Sequence, residues 1–95
     1  MQPFATFQDA CTFINQEALR YTNNLSSLKY SRCPNGYVWC MNFAAVINMF
    51  DPYNPADQYA KQAIDDFIAK GYLESLKNFG GLKITPLGYQ NIGNW

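Results

Sequence analysis

The chain has 95 residues, with seven Lys and Arg against seven Asp and Glu, no His and a net charge of zero. Apolar residues make up 48% and charged residues 15%, so the chain is too apolar to be disordered and long enough for one core, which buries roughly 60–65% of the unfolded surface. A neutral chain lacks the basic footprint of most nucleic-acid binders, and without His there is no Ser-His-Asp triad, no Cys-His dyad and no imidazole metal ligand.

Residues 1–24 read as a lead-in and one helix. Thr6 is an N-cap, with Asp9 three residues later in the capping-box position. Phe7, Ala10, Cys11, Ile14, Ala18 and Tyr21 recur at spacings of three and four as one apolar stripe, and Asn23-Asn24 stops the helix. Cys11 falls on the stripe and is expected to act as a small core residue.

Residues 27–43 read as a β-hairpin about Asn35-Gly36, the dipeptide that tolerates the positive φ of a type I′ turn. A two-residue loop sets Cys33 against Val38, Arg32 against Trp39, Ser31 against Cys40 and Tyr30 against Met41. Leu28, Tyr30, Arg32, Tyr37, Trp39, Met41 and Phe43 then share the face expected to be buried, with Arg32 stacked on Trp39. Cys33 and Cys40 are offset along the ladder, and all three cysteines are expected to be free thiols.

Residues 43–50 (FAAVINMF) fit either a short buried helix or a continuation of the second strand. The prolines of Asp51-Pro52-Tyr53-Asn54-Pro55 mark a linker, with Asn54 as N-cap and Pro55 in the first helical position. The clearest helix runs over 55–70. Its stripe is Ala56, Ala60, Ala63, Ile64, Phe67 and Ile68, Asp57–Lys61 and Asp66–Lys70 are acid-first pairs on the outside, and Gly71 ends it. Tyr72–Lys77 alternates, turns at Asn78-Phe79-Gly80-Gly81 and returns as Leu82-Lys83-Ile84. Thr85 and Pro86 open a last short helix through Ile92.

The string from Tyr59 to Ile92 resembles the second half of a winged-helix (winged helix-turn-helix) domain. Lys70-Gly71-Tyr72-Leu73 stands where such domains leave the recognition helix, and Ile84-Thr85-Pro86-Leu87-Gly88 where they begin a final helix after the wing. The resemblance implies a single α+β domain over 1–95, winged-helix-like in design. Read together with the residues of the first half, it would comprise an N-terminal helix and a β-hairpin, then the central amphipathic helix and C-terminal two-stranded wing that the resemblance covers. The first half of the chain lies outside the resemblance.

Sequence-specific DNA binding would put the 55–70 helix in a major groove. That helix exposes Asp57, Gln58, Lys61, Gln62, Asp65, Asp66 and Lys70, more acids than bases, and the wing adds only Lys77 and Lys83. Phosphates demand the reverse. An enzyme would have to work with Cys11, Cys33, Cys40, Asp9, Glu17, Asp51, Asp65, Asp66 or Glu74. Asp65 and Asp66 are neighbours on a helix, so their carboxylates diverge, and a thiol without an imidazole lacks its usual base. No catalytic, cofactor-binding or metal-binding residue is assigned.

The chain has sixteen aromatic residues, more than a core of this size needs, and Tyr and Trp are the side chains that anchor interfaces. Tyr37, Tyr53, Phe79, Tyr89 and Trp95 fall in turns, the linker or the terminus, where burial is hardest to arrange. The expected function is therefore protein binding, through Tyr53, Asn54, Gln58, Lys61, Gln62, Asp65, Lys77, Phe79 and Lys83, with DNA binding and homodimerisation as alternatives. The chain is similar in size and composition to the small proteins that phages and plasmids use to block host machinery, anti-CRISPR inhibitors among them. The first residues carry no basic region followed by an apolar run, and no apolar stretch is long enough to span a bilayer. A cytoplasmic location without membrane contact is the expectation.

Overall fold

The computed structural model of the protein describes residues 4–22, 30–32, 36–51, 53–76 and 81–95. Helix α1 spans Phe7–Thr22, opened by the Thr6 hydroxyl, which accepts the Asp9 N–H at 3.1 Å. Ala10, Cys11, Ile14 and Ala18 bury the expected stripe, whereas Phe7 and Tyr21 are half-buried at its ends. Strands β1 (Tyr30–Arg32) and β2 (Val38–Cys40) follow, then α2 (Met41–Asn48). The open assignment of 43–50 resolves as helix, with Phe43, Ala44 and Ile47 inward.

The hairpin departs from expectation. The register is Tyr30↔Cys40, Ser31↔Trp39 and Arg32↔Val38, so the loop covers 33–37 rather than two residues. A one-residue shift sends every side chain to the other face. Val38 and Cys40 are buried, Trp39 is half-buried, and Met41, already in α2, is 49% exposed. Arg32 stands opposite Val38 rather than Trp39 in the register. Gly36 does take a positive φ of 81°. Leu28, Cys33 and Asn35 lie outside the described residues.

The 55–70 segment also begins differently. Pro55–Asp57 is a single 3-10 turn, and the α-helix proper, α3, is Gln58–Ala69. Asn54 caps the turn through Oδ1, which accepts the Ala56 N–H at 3.0 Å. Ala60, Ala63 and Phe67 are buried, Ile64 and Ile68 half-buried, and Ala56 exposed because it precedes the helix. The Asp57–Lys61 pair does not form. Asp57 instead accepts the Asp51 N–H at 2.9 Å, and Lys61 pairs with Asp65 at 2.8 Å. Asp66–Lys70 forms as expected, at 2.9 Å. Gly71, at φ 83°, turns the chain into β3 (Leu73–Leu76), which pairs with β4 (Gly81–Ile84). Thr85 caps α4 (Pro86–Gln90), which ends short of Ile92.

The sheet is antiparallel in the order β1-β2-β4-β3. Its inner face carries Val38, Cys40, Leu82, Ile84 and Leu73. This face meets α1, α2 and α3, whose Ile14, Phe43 and Phe67 complete the core. α1 packs chiefly on α3, where fully buried alanines (Ala10 and Ala18 on one, Ala60 and Ala63 on the other) keep the contact close. The result is a small α+β domain.

Many of the aromatics are packed internally. Phe4, Phe13 and Phe50 cluster with ring centroids 5.3–6.3 Å apart. Trp95 stacks on Tyr72 at 5.6 Å, lies 5.2 Å from Phe67, and donates its indole N–H to the Gly88 carbonyl at 2.8 Å. Tyr37, Tyr89 and Trp95 are half-buried rather than projecting. Of the five aromatics expected at the surface, Tyr53 stands in solvent, at 91% exposure, and Phe79 lies outside the described residues.

Candidate protein-interaction site

The linker between α2 and α3 is a tied turn. The Asp51 Oδ1 accepts the Tyr53 N–H at 2.9 Å, and the Asp51 carbonyl accepts the Asn54 N–H at 3.1 Å. The Asp51 N–H reaches the Asp57 carboxylate, and the Asn54 carbonyl accepts the Asp57 N–H at 2.9 Å. Short polar side chains bonding to nearby backbone fix such turns. Tyr53 is thus presented by backbone that is already ordered, so little conformational freedom is lost when a partner covers it.

Beside this turn lies an open groove of about 270 Å³. Ile47 and Phe50 of the α2 end form one wall, and Ile64 and Ile68 of α3 the other. Leu82 and Ser75 of the sheet close it, and the Lys61–Asp65 ion pair sits on the rim. Lys61 and Asp65 were among the residues expected to bind a partner; the apolar lining beside them was not. The apolar lining comes from three separate elements, α2 with its end, α3 and β4, and the signals that pointed to it were Ile64 and Ile68 at the edge of the α3 stripe.

The remaining expected residues divide. Gln58 and Gln62 lie exposed on the outer side of α3, with Lys61 and Asp65. Lys83 is not with them. It is half-buried on the outer face of the sheet, its ammonium 5.4 Å from the centre of the Tyr37 ring and its backbone opposite Glu74. Glu74 in turn raises the pKa of the Tyr37 hydroxyl, first by hydrogen bonding to it and then by its charge. Lys77 and Phe79 lie outside the described residues.

The site is electrically quiet. Arg20 lies 3.8 Å from Glu17, Lys61 pairs with Asp65, and Lys70 with Asp66. The Asp66 carboxylate, by hydrogen bond and charge, holds the Lys70 ammonium above its ordinary pKa. No row of unpaired cations is offered to phosphates on α3. Cys11 and Cys40 are buried free thiols. Burial pushes the Cys11 thiol up, the Asp66 carboxylate adds to this, and Lys70 opposes it. Among the described residues no three Cys, Asp or Glu side chains gather where a metal ion could be held, and no helix is long and apolar enough to cross a membrane. No family model, curated protein or solved structure matches the chain.

Proposed function

We propose that the chain is a non-enzymatic, winged-helix-like domain that binds another protein through the α2–α3 turn, the outer side of α3 and the groove beside them. The observation that carries the reading is Tyr53, 91% exposed on a turn held by four hydrogen bonds, which begins one residue after Phe50 of the groove wall. Exposed tyrosines on ordered backbone are among the residues enriched in interface hot spots. The order of elements supports the winged-helix design. Two helices, α1 and α2, precede α3, a two-stranded hairpin follows it, and β1 is an additional strand. The similarity in size and composition to phage and plasmid inhibitors makes obstruction of a host complex the form of binding proposed, in the cytoplasm.

The test is affinity capture from host lysate with and without nuclease, repeated with Tyr53→Ala. A protein partner that survives nuclease and is weakened by about 2 kcal/mol or more by the substitution supports the reading. Recovery of nucleic acid alone overturns it in favour of a DNA-binding regulator.

A further inference from the structure

We propose that β3 is a docking edge for an extended segment of the protein partner, which adds to the sheet as a new strand, seats one apolar side chain in the groove and sets a lysine or arginine opposite Glu74. The proposal rests on the protein-binding reading above and specifies how the partner is held.

The sheet order leaves β3 at an edge, with β4 on one side and, among the described residues, no strand on the other. The Tyr72 carbonyl accepts the Thr85 N–H at 3.0 Å, which makes Tyr72 and Thr85 a hydrogen-bonded pair of the ladder. Bonded pairs alternate along an antiparallel ladder. Glu74↔Lys83 and Leu76↔Gly81 are therefore bonded pairs, while Leu73 and Ser75 turn their N–H and C=O groups away from β4; Leu73 is covered, at 1% exposure, so the open part of the edge is Ser75. Ser75 is exposed and small, and it also lines the groove. An incoming strand that bonds to Ser75 has its facing residue on the groove side of the sheet. The groove's volume and its lining of Ile47, Phe50, Ile64, Ile68 and Leu82 suit one side chain of leucine, methionine or phenylalanine size.

The neighbouring residue of the incoming strand lies on the other face, opposite Glu74. Glu74 is exposed and meets the Tyr37 hydroxyl by one hydrogen bond, which leaves acceptor capacity on its carboxylate, and its ladder partner Lys83 directs its ammonium over the Tyr37 ring. Directly opposed unlike charges stabilise a strand pair. The recognised pattern is thus a basic residue adjacent to a large apolar one in an extended segment. A second copy of the chain is a poor occupant. Self-pairing about Glu74 sets that carboxylate against its own mate and gives Ser75 only Leu73, which is 1% exposed in its own core. Self-pairing about Ser75 offers the groove another serine.

The experiment is selection of a random-peptide display library on the wild-type protein and on Glu74→Lys, an exposed position at which the variant's melting temperature is checked. Wild type is expected to enrich peptides with Lys or Arg next to a large apolar residue. Glu74→Lys is expected to replace the basic residue by an acidic one. The enriched peptide should shift the amide resonance of Ser75, and Ser75→Pro, which removes an outward N–H that the ladder does not use, should weaken it roughly tenfold. A consensus without the basic residue, one unchanged by Glu74→Lys, or shifts confined to Gln58 and Gln62 overturns strand addition while leaving protein binding by α3 in place. Failure to enrich any peptide also overturns strand addition, and lysate capture then judges the protein-binding reading on its own.

Discussion

Gly88 lies directly against the backbone carbonyl of Tyr72. A Cβ on the glycine would stand 2.9 Å from the carbonyl carbon and closer still to the oxygen. The obstacle is backbone, which cannot swing aside, and the same carbonyl accepts the Thr85 N–H. Gly88→Ala must therefore push α4 off the end of α3. The expected loss is about 1–3 kcal/mol, the range for overpacked sites, read as a lower denaturant midpoint at unchanged slope.

Thr85 holds the other side of this joint. Its hydroxyl donates to the Gly71 carbonyl and accepts the Gly88 N–H at 3.0 Å. Thr85→Ala is expected to cost about 1–2 kcal/mol, and Thr85→Ser to recover most of it, because the serine keeps the hydroxyl. Thermal melts of the three proteins check this.

Phe67 is 1% exposed and touches both Tyr72 and Trp95. Phe67→Ala should cost about 3–5 kcal/mol and alter the near-ultraviolet dichroism, since it removes the ring on which the Trp95 cluster rests. A loss below 1 kcal/mol would mean that the cluster collapses into the space.

Cys11 sets a pH dependence. Its folded pKa is raised, by burial first and by Asp66 second. Above about pH 8.5 an unfolded thiol loses its proton while the folded one keeps it, so the unfolded state binds fewer protons and stability declines as pH rises. Below that pH the thiol is protonated in both states and its contribution is complete. Denaturant midpoints from pH 7 to 10 should fall less in Cys11→Ala than in wild type, and thiol reagents should modify Cys11 only as fast as the protein opens.

Binding to random duplex DNA at physiological salt should be weaker than the roughly 10⁻⁴–10⁻⁶ M of non-specific binders, because Lys61 and Lys70 on α3 are each held by an aspartate. Fluorescence anisotropy against salt concentration measures it. Micromolar affinity with a steep salt slope would contradict the paired-cation picture.

The local devices were legible from residue type. Thr6, Asn54 and Thr85 cap where their neighbours predict, because a cap needs only two or three adjacent residues. Gly71 breaks the chain for the same reason. The buried side of β2 was not legible, since it depends on whether the loop before it has two residues or covers 33–37, and one residue exchanges Trp39 for Val38 and Cys40. Helical spacing alone predicted Asp57–Lys61. The competing donor, the Asp51 N–H, comes from the folded turn and has no helical spacing to announce it. The groove was hidden for a stronger reason: Ile47, Ile64, Ser75 and Leu82 meet only after the sheet and two helices have assembled. Tyr53 was found because its prolines and Asn mark a turn, whereas Tyr37, Tyr89 and Trp95 were misplaced because their packing partners are distant in sequence.

Among the described residues, β2 and β4 meet through the single pair Val38↔Ile84, whereas β3 and β4 share a ladder of four. Mechanically, the sheet is two hairpins joined at a seam one residue pair wide. Both seam residues have no exposure, so dry contact rather than a long run of backbone bonds resists separation there. Under load or transient opening, that seam is expected to part before the β3–β4 ladder, once α2 has left β4, and the break would divide the hairpin that leads into α2 from the hairpin that follows α3.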